Sequence, residues 1–348
     1  MGWEELIGQS LAAEMLRRAV AAGRTAHAYL FTGPRGVGKQ EAARLLARAL
    51  NCLEPPAPGD SCGRCRQCRK VIEGVHPDVL VLNPPGRTIK LGLVVQRDDT
   101  PDGWTPVRTF VSRLPAEGRA QVVIVVEADR LGPEAANALL KTLEEPPPYT
   151  VFVLTTANEA GILPTIRSRC QPVIFPPAPP EAIAAALERE GMAPEQARLL
   201  AALSGGSIGR ARELAGDEAV SRRREQARAL LEEVARGLDP LGCLARAEAL
   251  EQQRDEVPEL LDLLLLWLRD CLLVASGADP GLAVAQDSLP FVQSVAARLG
   301  RERLLAMAEA VRLARQQIDR NAALRLVLDV MFLRLSGHSR WRPRAAGL

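Results

Sequence analysis

Three short apolar runs in the first half of the chain do not alternate with polar positions and are rich in β-branched residues. They span residues 28–32, 122–126 and 151–155. Runs of this kind are typical of strands that are covered on both faces, as in a parallel sheet between two layers of helices. A fourth strand is predicted within residues 76–82, and residues 83–106 are predicted to form an exposed loop with room for one short helix. The pattern therefore predicts an α/β domain over residues 1–177.

Helical spacing of apolar positions dominates the rest of the chain. The proline-rich segment 176–180 ends the mixed region, because proline fits neither a helix interior nor a strand ladder. Short helices are then predicted at residues 181–190, 193–203 and 208–214, and longer amphipathic helices at 219–237, 240–253, 257–276, 288–300, 301–317 and 321–335. We interpret residues 178–216 as a helical lid, 217–336 as a helical collar domain and 337–348 as a tail. The predicted fold class is α/β plus all-α.

Composition and charge agree with a soluble globular protein. The chain has 348 residues, of which 47% are hydrophobic and 25% charged, and its net charge is +2. No field over the whole molecule would recruit nucleic acid, so any direct contact with DNA would need a local basic patch. No secretory signal begins the sequence, and the apolar run 260–274 contains Asp262, Arg269 and Asp270, which excludes a membrane span. We expect a cytoplasmic protein with no membrane partner.

Four of the seven cysteines form a cluster with metal-ligand spacing: Cys52, Cys62, Cys65 and Cys68. Four thiolates on short loops suit tetrahedral Zn²⁺, and disulfides are disfavoured in a reducing compartment. The cluster leaves no open position for substrate, so the sequence predicts a structural zinc module over residues 52–68. Redox chemistry and an iron–sulfur cluster remain alternatives. The isolated thiols are predicted to be core residues: Cys170, Cys243 and Cys271.

A glycine-rich segment between the first predicted strand and the following helix has the pattern of a phosphate-binding loop. Its glycines are Gly33, Gly36 and Gly38, and Lys39 follows them. Backbone N–H groups in such a loop surround phosphate, and the lysine adds a positive charge. Gln40 stands where a Ser or Thr hydroxyl would bind Mg²⁺, and an amide is a poor ligand for that ion. ATP or ADP binding is left open, and Mg²⁺ is not expected.

A second departure concerns the same metal ion. Val126 ends an apolar strand at the position where an Asp would steady Mg²⁺, and Glu127 follows it. Glu127 is a candidate for orienting water, although a structural role is the alternative. Thr156 ends another strand and is a candidate sensor of the terminal phosphate, as is Thr155 beside it. The absence of both expected Mg²⁺ ligands predicts a chain without substantial intrinsic ATPase activity.

Several further motifs occur in a fixed order along the chain. They are Ile7-Gly8-Gln9, the segment 27–31 before the P-loop, the cysteine insertion after the P-loop helix, His76-Pro77-Asp78, the segment 137–146, Ser168-Arg169-Cys170 and the last helix, 321–335. In this combination the chain resembles the bacterial clamp-loader AAA+ subunits of the DNA polymerase III holoenzyme. The resemblance implies a RecA-like AAA+ P-loop domain that carries the zinc module, followed by the lid and the collar.

Within that family, the ATP-hydrolysing motor subunits have a Ser or Thr and an Asp at the two Mg²⁺ positions. This chain departs from that pattern and in this respect resembles the delta prime branch. Besides Gln40 and Val126, a glycine in segment 206–210 occupies the position of the second phosphate sensor, with Arg210 next to it as the alternative. The resemblance then implies a largely ATPase-inactive stator in a hetero-pentamer with tau/gamma and delta subunits. Such a complex loads the sliding clamp onto primed DNA. The alternative is an ATP-hydrolysing tau/gamma-type motor or a related AAA+ remodeller.

The resemblance also implies a catalytic role for Arg169. In the family, this arginine reaches across a subunit boundary toward the γ-phosphate of ATP on the next subunit, where it neutralises developing charge. Which neighbour would receive it is left open, and a surface arginine that caps a helix is the alternative. The collar is expected to bury apolar residues of one helix against partner helices: Leu260, Leu264, Trp267 and Leu268.

Overall fold

The computed structural model describes residues 2–83, 86, 88–98, 100–216, 219–320 and 322–338. Within these residues, five strands form one parallel sheet in the order β2-β3-β4-β1-β5. Their bounds are Ala28–Thr32 (β1), Val79–Leu82 (β2), Gln121–Val125 (β3), Thr150–Thr156 (β4) and Gln171–Ile174 (β5). Because β1 pairs with β4, Thr32 lies opposite Thr156. The carboxyl end of β1, where the P-loop begins, is therefore next to the carboxyl end of β4.

The predicted strands are confirmed to within a few residues, and one strand was missed. β1 coincides with its prediction, whereas the predicted segment 76–82 forms a strand only over Val79–Leu82. β5 was not predicted. Among its four residues only Val173 is buried, and it contains Pro172. Proline is tolerated in strands at sheet edges, and β5 pairs with β1 at the edge of the sheet.

Helices cover both faces of the sheet. They are α1 (Ser10–Ala21), α2 (Lys39–Asn51), α3 (Arg66–Ile72), α4 (Val107–Val111), α5 (Pro133–Glu144) and α6 (Pro164–Arg167). Successive strand residues point to opposite faces, so Phe31 joins the core with α1 and α2, while Leu30 joins the core with α4 and α5. Burial on both faces explains why the central strands read as unbroken apolar runs. The predicted parallel α/β architecture is confirmed.

The prediction of an exposed loop over residues 83–106 is wrong for part of its length. Ile89, Leu93 and Val94 are buried in the core with α4 and α5. The segment is also held by its backbone, since the N–H of Ile89 donates to the carbonyl oxygen of Arg130 at 2.8 Å. A short 3₁₀ helix is present at Leu91–Leu93. The apolar residues here are too few and too irregularly spaced for periodicity to reveal their burial.

The described part of the chain folds as two compact units. Of the described residues, those from 2 to 186 and from 205 to 210 form one unit, and those from 187 to 204 and from 211 to 338 form the other. The division into α/β domain, lid, collar and tail remains a prediction, and residues 339–348 of the tail lie outside the described residues. The remaining helices are α7 (Pro180–Arg189), α8 (Pro194–Leu203), α9 (Ile208–Ala215), α10 (Ala219–Arg236), α11 (Pro240–Glu251), α12 (Val257–Ala275), α13 (Leu289–Asp319) and α14 (Leu324–Leu335).

The second unit is a helical bundle whose core is built from its own residues. α12 packs against α13 and α10, and four of its apolar side chains are each at most 3% exposed: Leu260, Leu264, Trp267 and Leu268. The expectation that these residues are buried against partner helices is confirmed, and the helices that cover them belong to the same chain. α13 is broken at Gly300, which has a φ of 70°. This break lies where the predicted helices 288–300 and 301–317 meet. Within the part of the chain that the structure describes, no helix has both the length and the apolar character needed to cross a bilayer.

Candidate nucleotide site and cysteine cluster

The P-loop connects β1 to α2 and depends on its glycines. Gly33 has a φ of 151°, and a Cβ at this position would lie 2.0 Å from the carbonyl oxygen of Phe175. Gly38 adopts the left-handed conformation, with a φ of 101°, immediately before α2 begins at Lys39. A side chain at either position would clash with the fold or strain it. The glycines predicted from sequence are thus brought together at the amino end of α2.

The ammonium group of Lys39 points back to the loop that precedes it. Nζ donates hydrogen bonds to the carbonyl oxygens of Gly33 at 2.6 Å and Pro34 at 2.5 Å. The residue is only 8% exposed. Burial lowers the pKa of Lys39 to about 8, although the nearby carboxylates of Asp129 and Glu127 oppose this shift. At neutral pH the side chain remains cationic, as contact with phosphate requires.

The opposite side of the loop packs against the segment that contains the predicted second sensor. The N–H of Gly209 donates to the carbonyl oxygen of Gly36 at 2.9 Å. A Cβ on Gly36 would lie 2.3 Å from Oγ of Ser207, which is itself buried. Gly209 also has little room for a side chain, since its Cβ would lie 3.1 Å from the Cα of Gly36, which would have to shift by a few tenths of an ångström. This close approach explains why two glycines face each other here.

Glu127 combines an unusual backbone conformation with basic partners for its carboxylate. Its φ of 51° and ψ of 58° are left-handed, and it is the one non-glycine residue with positive φ in the described ranges. Its carboxylate lies 2.9 Å from Arg35 of the P-loop and 3.0 Å from Arg130. Its N–H donates to Oγ1 of Thr155 at 3.2 Å. Such strain occurs at functional sites when the surroundings hold the residue in place.

Thr156, the candidate sensor, bonds to a residue that the sequence analysis did not select. Its Oγ1 donates to Oδ1 of Asp129 at 2.6 Å and accepts from the N–H of Asn158 at 2.9 Å. Asp129 also acts electrostatically on Lys39, and so belongs to the site. The available signal was its place just beyond the carboxyl end of β3, the edge at which parallel sheets bind ligands.

Gln40 and Val126, which occupy the two positions where Mg²⁺ ligands were expected, differ in exposure. Gln40 is partly exposed in the first turn of α2, and Val126 is 9% exposed just after β3. Neither side chain offers the hydroxyl or carboxylate oxygen that Mg²⁺ prefers. The chemistry of these two side chains therefore favours contact between the loop and phosphate over activation of a metal-bound nucleotide.

The four clustered cysteines have the geometry of a metal site. The sulfur atoms of Cys52, Cys62, Cys65 and Cys68 all lie within 4.8 Å of one another. A tetrahedral zinc ion with Zn–S bonds of about 2.3 Å would separate its sulfurs by about 3.8 Å, so the four donors fit a single ion. Cys52 follows α2, and Cys65 immediately precedes α3. The module is therefore built on the helix that begins at the P-loop.

The thiols of this cluster differ in acidity. Burial opposes ionisation of Cys65, but hydrogen bonds with the backbone of Cys68 and Leu53 and with neighbouring thiols outweigh it, and they lower the pKa of Cys65 to about 6. Burial raises the pKa of the Cys68 thiol. Two thiol sulfurs also accept N–H bonds at 3.3 Å, Cys52 from Cys62 and Cys62 from Cys65. Such donors stabilise thiolates, the form that binds metal.

Buried polar side chains anchor the cysteine module and the sheet to one loop. Both carboxylate oxygens of Asp78 accept backbone N–H bonds from residues 116–118, at 2.6–2.8 Å. Oδ1 of Asn51, at the end of α2, accepts from the N–H groups of Arg119 and Ala120. Nε2 of Gln67, in α3, donates to the carbonyl oxygen of Glu117 at 2.8 Å. The motif His76-Pro77-Asp78 thus has a structural role in holding this loop.

Arg169 lies on a different part of the α/β unit. It follows α6, and its Nη1 donates to the carbonyl oxygen of Thr165 at 2.9 Å. Its Nη2 lies 2.8 Å from Oε1 of Glu144, and its side chain is 37% exposed. Cys170, the next residue, is buried and holds the backbone against the core. Among the described contacts, none joins Arg169 to the P-loop residues of its own chain.

The chain is an α/β protein with a parallel sheet, a glycine-rich loop of the P-loop pattern between β1 and α2, and an inserted four-cysteine module. The family profile described as DNA polymerase III, delta subunit, matches residues 8–179, and that of the C-terminal part matches residues 218–336. The delta' subunit of Pseudomonas aeruginosa is 34% identical over 312 residues, which cover 87% of this chain and 89% of the relative. The chain belongs to the family of DNA polymerase III delta' subunits.

Two further relatives cover almost all of the chain. The delta' subunit of Bacillus subtilis (strain 168) is 29% identical over 338 residues, which cover 96% of this chain and 98% of the relative. The gamma/tau subunit of Mycobacterium bovis is 32% identical over 358 residues, which cover 95% of this chain but only 60% of that longer relative. The chain is therefore similar to both branches, and it matches the delta' subunits over nearly their whole length.

Proposed function

We propose that this chain is a clamp-loader delta' subunit that hydrolyses little or no ATP itself. Its partners are tau/gamma and delta subunits in a hetero-pentamer, which loads the sliding clamp onto primed DNA. The observation that carries the proposal is the pair of side chains at the phosphate-binding site, since Gln40 and Val126 replace both expected Mg²⁺ ligands. The length shared with the delta' relatives supports the same role.

Arg169 acts in this proposal on the nucleotide of a neighbouring subunit. Its guanidinium is partly exposed and makes no described contact with its own P-loop, and the buried Cys170 that follows Arg169 fixes the backbone beside it. An arginine supplied in trans neutralises charge on the transferring phosphoryl group and accelerates that step by roughly 10³- to 10⁵-fold. The cysteine module holds a structural Zn²⁺, and it contributes stability to the unit without touching substrate.

Substitution of Arg169 in a reconstituted complex tests the trans role. With Arg169→Ala, we expect the complex to assemble normally. Its ATP turnover in the presence of clamp and primed DNA should fall by the fraction that comes from the one active site that receives Arg169. Arg167→Ala is the matched control, because Arg167 is an exposed arginine two residues earlier that is 3.7 Å from Glu159. Unchanged turnover by an assembled Arg169→Ala complex would show that the trans role is wrong.

The similarity to gamma/tau supports a second candidate, an ATP-hydrolysing motor. The isolated chain distinguishes the two candidates. A motor would show steady-state ATP turnover that Lys39→Ala abolishes, whereas we expect a rate at the background of the assay for both proteins. Turnover that depends on Lys39 would replace the stator proposal with the motor.

A further inference from the structure

We propose that Glu144 is a positioning residue that holds Arg169 ready for its action on a neighbour's nucleotide. The inference rests on the proposed function of Arg169. Nη2 of Arg169 lies 2.8 Å from Oε1 of Glu144 in α5, and Nη1 donates at 2.9 Å to the carbonyl oxygen of Thr165 in α6. The guanidinium group is thus held by two different helices. A long side chain that is fixed before a ligand arrives loses less conformational freedom when it binds.

Both partners project from backbone that the core fixes. Glu144 is the last residue of α5, and Leu143 beside it is 1% exposed. On the other side, the N–H of Arg169 donates to the carbonyl oxygen of Ile166, which is also 1% exposed, and Cys170 is buried. α5 and α6 pack against each other within the same unit. The backbone positions of Glu144 and Arg169 are therefore fixed by buried neighbours on both sides of the ion pair.

The guanidinium can bind phosphate without leaving Glu144. An arginine has five N–H donors in a planar fork, and the two observed contacts occupy one donor each. Three donors remain, on a side chain that is 37% exposed. A carboxylate on one edge of the guanidinium and an anion on another is compatible with this geometry. Glu144 accordingly acts through Arg169 and does not itself contact the nucleotide.

The adjacent Glu145 offers a matched comparison. Its side chain is exposed, has the same charge, and makes no hydrogen bond or ion pair within the described part of the chain. A general effect of negative charge at the end of α5 would be shared by both glutamates. An effect that depends on contact with Arg169 would be confined to Glu144.

A double-mutant cycle in the full reconstituted complex tests the proposal. We expect Glu144→Gln to lower the Arg169-dependent part of ATP turnover by about two- to five-fold, which is the scale of coupling in partly exposed ion pairs. In the Arg169→Ala background, the same substitution should change nothing. Glu145→Gln should retain the wild-type rate, and the melting temperatures of all the single variants should be similar.

The outcomes that would overturn the proposal are distinct from failure of the proposed function. Wild-type turnover by Glu144→Gln, or an equal fold loss with and without Arg169, would show that Glu144 does not position the arginine. Loss shared by Glu145→Gln would assign the effect to charge alone. If Arg169→Ala itself leaves turnover unchanged in an assembled complex, the trans role fails and the positioning role fails with it.

Discussion

Lys39 donates a hydrogen bond of 2.6 Å to the carbonyl oxygen of Gly33, the residue that begins its own P-loop. The cation is thereby held inside the loop and shielded from water, at 8% exposure. Burial lowers its pKa to about 8, which is below the ordinary lysine value of 10.5. A lysine in this state carries its charge at neutral pH at some cost to the folded protein, and this has a measurable consequence.

The stability of the protein relative to Lys39→Met should increase as pH rises from 8 toward 10. In this interval the folded lysine has released its proton while the unfolded one still binds it, so the unfolded state binds more protons and stability rises with pH. Below about pH 7, where the lysine is protonated in both states, the difference between the two proteins should be constant. Melting temperatures of both proteins at pH 7, 8, 9 and 10 measure the effect. Because the two proteins share all other titrating groups, the difference between them isolates the contribution of Lys39. A difference that does not vary with pH would show that Lys39 is not buried as described.

Substitution of one clustered cysteine should remove the metal. We expect purified protein to contain one zinc ion per chain and Cys68→Ser to contain none, since Cys68 is fully buried among its three sulfur partners. Metal analysis by mass spectrometry measures both. Cys271→Ser is the control, because Cys271 is equally buried but lies outside the cluster. A chelator should lower the melting temperature of the wild type and leave that of Cys68→Ser unchanged. Iron with visible absorbance, or no metal, would contradict zinc.

Loss of the Asp78 carboxylate should destabilise the α/β unit. Asp78 is 1% exposed and accepts three backbone N–H groups from residues 116–118. Asp78→Ala leaves these donors without their partner, and we expect it to cost about 3 kcal/mol. For a unit of this size, the melting temperature would fall by roughly 6–12 °C. Circular dichroism during heating measures the change. Asp102→Ala, at an exposed position, is the control and should have the melting temperature of the wild type. Equal melting temperatures of the two variants would refute the role of Asp78.

The sequence predicts the central strands and the P-loop because their signals are local. β1 is recognisable from a run of five residues that does not alternate with polar positions, and all five are buried. The loop is recognisable from the spacing of its glycines. β5 is not, since it lies at the sheet edge, contains Pro172 and buries only Val173. Its place beside β1 depends on a pairing between segments that are far apart in the sequence, which no periodicity records.

The contacts within the candidate site are harder to predict for the same reason. The residue types of Thr156 and Asp129 are visible in the sequence, but their 2.6 Å hydrogen bond depends on the pairing of β3 with β4. The ion pair between Glu144 and Arg169 depends likewise on how α5 meets α6. The sequence showed only that Glu144 belongs to the motif segment 137–146, and the fold shows which cation it meets. Sequence reasoning therefore finds candidate groups more readily than it finds their partners.

The position of β1 in the sheet has a consequence for synthesis on the ribosome. β1 ends at Thr32, but its two neighbours in the sheet begin only at Thr150 and Gln171. At about 5–20 residues per second, the first of these neighbours is translated roughly 6–24 s after β1. During that time the nascent chain carries an apolar segment, Ala28–Thr32, whose backbone lacks its native partners. Early binding by a chaperone to this segment would protect it from aggregation until β4 emerges.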